Sequence, residues 1–131
     1  MRTYNLTAGS FSLELGLITF EKDISLPENS LLNIKIVSDD FAAAGVLDIG
    51  IKAFRVFAGD LLHLYETLRG SAELKEAYGR NHITFEALAN GHICVKGTIN
   101  NNCRAGHEQE LKFENEFDQT YLKDFVREIN K

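Results

Sequence analysis

Two short apolar alternations flank an Asn-Gly dipeptide, and together they leave few ways to fold this chain. Ile83, Phe85 and Ala87 recur at every second position, as do Ile93, Val95 and Ile99 beyond Asn90-Gly91 in the same phase. A period of two is that of a half-buried strand, and Asn-Gly between two such runs marks a tight antiparallel turn. A two-residue turn at Asn90-Gly91 would pair Phe85 with Lys96 and send the two apolar sets to opposite faces, because a one-residue slip inverts every side chain. A three-residue loop, Ala89-Asn90-Gly91 with Gly91 left-handed in a G1 bulge, instead pairs Ala87 with Ile93 and Phe85 with Val95. That register is the one predicted. It sets Thr84 against Lys96 and Glu86 against Cys94 on the other face, which is then polar, solvated and a candidate contact surface.

The same alternation recurs along the chain. Met1–Thr7 reads as a strand, and Phe11, Leu13, Leu15 and Leu17 alternate with Ser12, Glu14 and Gly16 in another that ends near Glu21. The only proline, Pro27, falls in the polar stretch Leu26–Ser30, expected to be a loop because proline lacks the donor a sheet interior needs. Leu32-Ile34-Ile36 forms the next strand, Ser38-Asp39-Asp40 turns, and Leu47, Ile49, Ile51 and Ala53 predict a long strand, with a bulge near Lys52 re-aiming Phe54 and Val56. Asp60 is placed to cap a helix whose stripe is Leu61, Leu64, Tyr65 and Leu68, with Gly70 left-handed just past its end. Ser71–Arg80 reads as an irregular strand and Asn100–His107 as a loop. Leu111, Phe113 and Phe117 then alternate with Glu110, Lys112, Glu114 and Glu116. Asp118 caps a closing helix with Tyr121, Leu122, Phe125, Val126 and Ile129 on its apolar side.

The order strands, helix, strands, helix lacks the regular βα alternation and glycine-rich first turn of a parallel nucleotide-binding sheet. The expected fold is α+β, a twisted antiparallel sheet of about 7–8 strands carrying a central and a C-terminal helix. With 131 residues, 44% of them hydrophobic and 25% charged, the chain is expected to be one domain spanning 1–131 that folds unaided. Its first residues read as a strand and are not expected to act as a signal peptide, and its longest apolar run, Phe41–Leu47, is far short of the roughly 20 residues that cross a bilayer. Two cysteines are too few for a disulfide scaffold. These features predict a cytoplasmic protein with no membrane partner. A net charge of −5 argues against nucleic acid and favours a basic or neutral protein partner, although modest acidity is also the ordinary recipe for solubility.

Candidate chemistry is sparse. Cys94, Cys103 and His107 form a Cys-x8-Cys-x3-His spacing that would need a remote fourth ligand such as His92 to close a zinc site; loop residues without metal are the simpler reading. Cys103 with His107 and Arg104 has the residue types of an activated thiol, but a flexible Asn-rich loop does not hold a nucleophile and base in register. Glu110, Glu114 and Glu116 lie on one side of the last strand, about 6.8 Å between alternate positions. That spacing suits a pair of glycosidic carboxylates, yet no tryptophan or aromatic cleft accompanies them, and they read first as a solvated strand face. No phosphate-binding loop or basic aromatic platform is present, so no cofactor is called for.

Phe57-Ala58-Gly59-Asp60-Leu61-Leu62-His63-Leu64, the Phe85–Val95 hairpin and Phe117-Asp118-Gln119-Thr120-Tyr121-Leu122 together resemble the WapI-type family of small bacterial immunity-like proteins over Leu32–Asn130. The absence of tryptophan departs from many of its members. The resemblance implies an antiparallel sheet, a central helix, further strands and a closing helix, in a cytosolic protein that blocks a toxin domain by binding it. It carries over no site residues. The reading that follows is a non-enzymatic protein-binding module of immunity type, with Glu110, Glu114 and Glu116 as candidate partner-binding residues for a basic toxin domain. The alternatives are a ligand-binding or enzymatic domain with a pocket between sheet and first helix, near His63 and Tyr65, and a homo-oligomer that uses an open sheet edge.

Overall fold

The structure is a computed structural model and describes residues 1–19, 30–77, 79–102 and 106–131. The first four strands, β1 (Arg2–Ala8), β2 (Phe11–Thr19), β3 (Ser30–Ser38) and β4 (Phe41–Ile49), form an antiparallel meander in that spatial order. Helix α1 (Ile51–Thr67) leaves this sheet. A second antiparallel meander follows, made of β5 (Ser71–Lys75), β6 (His82–Ala87), β7 (His92–Asn102) and β8 (Glu108–Asp118). A 3₁₀ turn, Gln119–Leu122, leads into α2 (Lys123–Ile129). The α+β class, the antiparallel pairing and the element order are those expected. The eight strands divide into two sheets of four instead of running on as one.

Burial explains the division. A single eight-stranded sheet would leave a broad apolar face with only two helices to cover it, one of them seven residues long. With two sheets, each strand's alternate residues cover those of the other sheet. Phe11 of β2 stacks on Phe113 and Phe117 of β8, with ring centroids 6.1 and 6.3 Å apart. The helices join the same core: Phe57 of α1 lies 6.0 Å from Phe85 of β6, and Phe85 lies 6.4 Å from Phe125 of α2. Phe11, Phe57, Phe85 and Phe125 are all essentially inaccessible.

The hairpin register is the predicted one: Ala87 faces Ile93, Phe85 faces Val95, Glu86 faces Cys94 and Thr84 faces Lys96. The turn reaches it differently. Asn90 and Gly91 are both left-handed, at φ 62° and 77°, as a primed two-residue turn requires. The N–H of His92 bonds the Ala89 carbonyl, and the Leu88 N–H bonds the His92 carbonyl at 2.8 Å. Leu88 and Ala89 thus oppose the single residue His92, and this bulge supplies the one-residue offset that keeps the apolar faces together.

Helix α1 begins earlier than predicted. β4 ends at Ile49, and Gly50 stands at the helix N-terminus without a side-chain cap. Phe54, Phe57, Ala58, Leu61 and Leu64 are buried at helical spacing, so the phase change near Lys52 is the switch from period 2 to period 3.6 and not a bulge. Asp60 is exposed in mid-helix and caps nothing. At the other end Leu68, at φ 56°, takes the left-handed position, its N–H bonding the Leu64 carbonyl at 2.7 Å; Gly70, at φ 87°, comes two residues later at the entrance to β5. Among the described residues the regular part of the Ser71–Arg80 segment is β5, and β7 extends to Asn102, into the stretch expected as a loop. Asp118 caps as predicted, its carboxylate accepting from the Thr120 N–H at 2.9 Å, but what it caps is the 3₁₀ turn; α2 itself follows Leu122 and has no side-chain cap. The predicted loop around Pro27 lies outside the described residues.

Candidate partner-binding face

Because the inner faces of both sheets are buried, the alternate residues of β5–β8 form an outer face, and the registers arrange them in rows. Glu73, Thr84, Lys96 and Glu114 make one row; Ser71, Glu86, Cys94 and Glu116 make the next; Lys75, His82, Thr98 and Lys112 lie on the other side of the first. Glu110 continues the same side of β8 and faces Asn100. The three candidate glutamates therefore share this face, as their alternation requires.

Their electrostatic surroundings differ. His92 Nδ1 lies 2.7 Å from Glu116 Oε1, and Lys96 Nζ lies 3.5 Å from Glu86 Oε2. Arg80 bridges Glu108 and Glu110, and Lys112 also approaches Glu110, at 3.9 Å. Asn100 Nδ2 donates to both Glu108 and Glu110. Glu114 has no cation partner among the described residues; it accepts from the Cys94 thiol at 3.8 Å. Glu73 likewise accepts only from the Thr84 hydroxyl, at 3.3 Å. These two carboxylates end the central row, with Thr84 and Lys96 between them. A shallow cleft opens beside Glu73, lined by Ser71, Thr84, Glu86 and Lys96.

Cys94 lies in the middle of this surface but is only 7% exposed. Burial, and next the neighbouring Glu114 carboxylate, push its thiol above the usual range, so it is protonated at neutral pH and a poor nucleophile. At the foot of β8, the Thr120 backbone N–H holds the Asp118 carboxyl below its ordinary range.

The other sequence candidates among the described residues do not converge. Cys103 and Arg104 lie outside the described residues, and His107 is exposed at the entrance to β8. Among the described residues no three His, Cys, Asp or Glu side chains are grouped to hold a metal ion. His63 is exposed on α1 and Tyr65 half-buried, while Leu61 and Leu64 between α1 and the sheets are fully buried. No described helix is long and apolar enough to cross a membrane.

Sequence reasoning missed two residues. Glu73 sits in a segment whose alternation is irregular in sequence, and its place beside Thr84 follows only from the pairing of β5 with β6. Asn81, 4% exposed, donates through Nδ2 to the carbonyls of Val46 and Asn100, both at 3.2 Å, and accepts from the Asn100 N–H at 2.6 Å. A single Asn between two charged or aromatic neighbours carries no pattern that announces such a role.

None of the curated proteins matches the chain. The model of the immunity protein WapI-like family matches residues 6–131, nearly the whole chain and more than the segment that carries the resemblance noted above. The two meanders, the central helix and the closing helix have the layout that resemblance implied, and the chain belongs to the immunity protein WapI-like family.

Proposed function

We propose that this chain is a non-enzymatic immunity protein of the bacterial cytoplasm that binds a basic toxin domain and blocks it through the outer face of the second sheet. The observation that carries this reading is the central row of that face, where Glu73 and Glu114 lack cation partners among the described residues. An exposed carboxylate with no neighbouring cation is already disposed to meet a lysine or arginine from another protein, which steers encounter and suppresses wrong partners. Membership of an immunity-protein family supports a protein as the partner. Glu110 and Glu116 contribute less than Glu114, because Arg80 and His92 already compete for them.

The experiment is affinity purification of the tagged chain from its native host, followed by binding measurements with the recovered protein. A basic protein should co-purify stoichiometrically. Glu114→Lys should weaken its binding at least about tenfold, while the same change at Glu116 has a smaller effect and neither variant alters the melting temperature. Recovery of the chain alone, or a partner indifferent to reversal of Glu110, Glu114 and Glu116 together, would sink the proposal.

A further inference from the structure

The outer face of the first sheet differs in kind from that of the second. Its residues, read from the registers, are mostly small or uncharged, and at the β3–β4 side Val37, Ala42, Ala44 and Val46 are exposed together. Val37 is 43% and Val46 46% exposed. The thioether of Met1 lies over Gly16 and Asn33 on this face, and apart from Asp48 at the end of β4 the charged side chains of the face are Glu14 and Lys35, which are cross-strand neighbours with Nζ and Oε2 3.9 Å apart. We infer that this face is the contact between two copies of the chain, packed sheet to sheet about a two-fold axis.

Charge selects the occupant. One acidic and one basic side chain placed side by side form a self-complementary pattern: across a two-fold axis, Glu14 of each copy meets Lys35 of the other. Two chains of net charge −5 repel, but Glu73 and Glu114, which have no cation partner among the described residues, lie on the opposite side of the molecule, so face-to-face contact here keeps them apart. Size is adequate. Four strands of up to nine residues cover about 30 Å by about 19 Å, or roughly 600 Å² per copy, which reaches the lower bound of stable interfaces. Edge-to-edge pairing along β4 is closed off, because the outward carbonyls of Ala44, Val46 and Asp48 are taken by Asn101, Asn81 and Ala77. The face is therefore what β4 offers a second copy. The contact leaves the acidic face of each copy open and does not rest on the proposed function; where that function holds, the dimer is bivalent for its partner.

Light scattering on the purified chain, coupled to size exclusion, tests the inference. The expected mass is twice that of the chain, falling to that of one chain in Val46→Glu with its circular dichroism unchanged. Glu14→Lys and Lys35→Glu should each be monomeric alone, and mixing them should restore the dimer, since each then supplies the charge the other lacks. A monomeric mass at all concentrations up to about 1 mM would overturn the inference. So would a dimer that survives Val46→Glu, or single-charge variants that remain monomeric when mixed.

Discussion

The side-chain amide of Asn81 donates to the Val46 carbonyl at 3.2 Å across a sequence separation of 35 residues, and this contact joins the two sheets. Asn81 also engages both backbone groups of Asn100, so one side chain ties the edge of β4 to β7. Ala77 and Asn101 complete the cover of that edge through the carbonyls of Asp48 and Ala44. Strand β4 is thereby protected from pairing with another chain by ordinary side-chain and loop hydrogen bonds.

Replacing Asn81 by Ala should destabilise the fold by about 2 kcal/mol, since part-buried backbone groups on two strands lose their partners at once. Asn81→Asp removes both amide donations and should fare no better. Urea denaturation of the two variants measures this, and a cost near zero would show that the bridge contributes little.

Gly97 should tolerate no side chain. A Cβ there would stand 2.2 Å from the His82 carbonyl oxygen and 3.0 Å from Ile83 Cα, both of them backbone atoms of the paired strand. Gly97→Ala is expected to cost about 2 kcal/mol through forced separation of β6 and β7. Gly59→Ala, where the new methyl meets nothing within 4 Å, serves as the control and should be neutral or stabilising.

Truncation of Phe85 should be the most damaging of these changes. It is fully buried and meets both Phe57 and Phe125, so Phe85→Ala is expected to cost about 4 kcal/mol and to loosen both helices together. Thermal melts followed by far- and near-ultraviolet circular dichroism would report the two losses.

Cys94 should react slowly with iodoacetamide at neutral pH, because burial and Glu114 favour its neutral thiol. Peptide mass spectrometry separates it from Cys103. Glu114→Gln removes one cause of the shift and should speed alkylation modestly; labelling of wild-type Cys94 as fast as free cysteine would contradict the placement.

Asp118 provides a pH-dependent contribution whose sign follows from its lowered pKa. The folded state favours the carboxylate, so the stabilisation is full above the ordinary aspartate range and is lost as pH falls through the lower folded value. Asp118→Ala should lower the melting temperature by a few degrees at neutral pH, whereas Asp118→Asn keeps a capping oxygen and loses less. The gap between wild type and Asp118→Ala should close in strong acid.

Much of the architecture was legible because its determinants are local. The register of β6 and β7 follows from a short turn and two apolar alternations, and it emerged intact even though the bulge falls at Leu88-Ala89 and both Asn90 and Gly91 are left-handed. Asp118 was legible for the same reason, since its partner is two residues away. The onset of α1 was misread because Leu47, Ile49, Ile51 and Ala53 continue an alternation across a strand-to-helix boundary marked only by Gly50. The Glu110, Glu114 and Glu116 alternation was visible, but their inequality was not. Arg80, His92 and Cys94 reach them only once β6, β7 and β8 are aligned.

By itself, then, the sequence determined antiparallel strands in two runs, each followed by a helix, with the apolar and polar sides of most strands. It did so because side-chain alternation and turn chemistry act over a few residues. Tertiary structure alone decided that the strands form two facing sheets, that Asn81 closes the edge of β4, and that Glu73 and Glu114 are left without cations among the described residues. Those outcomes depend on which distant surfaces come together to bury the apolar faces, and that is a property of the whole packed chain.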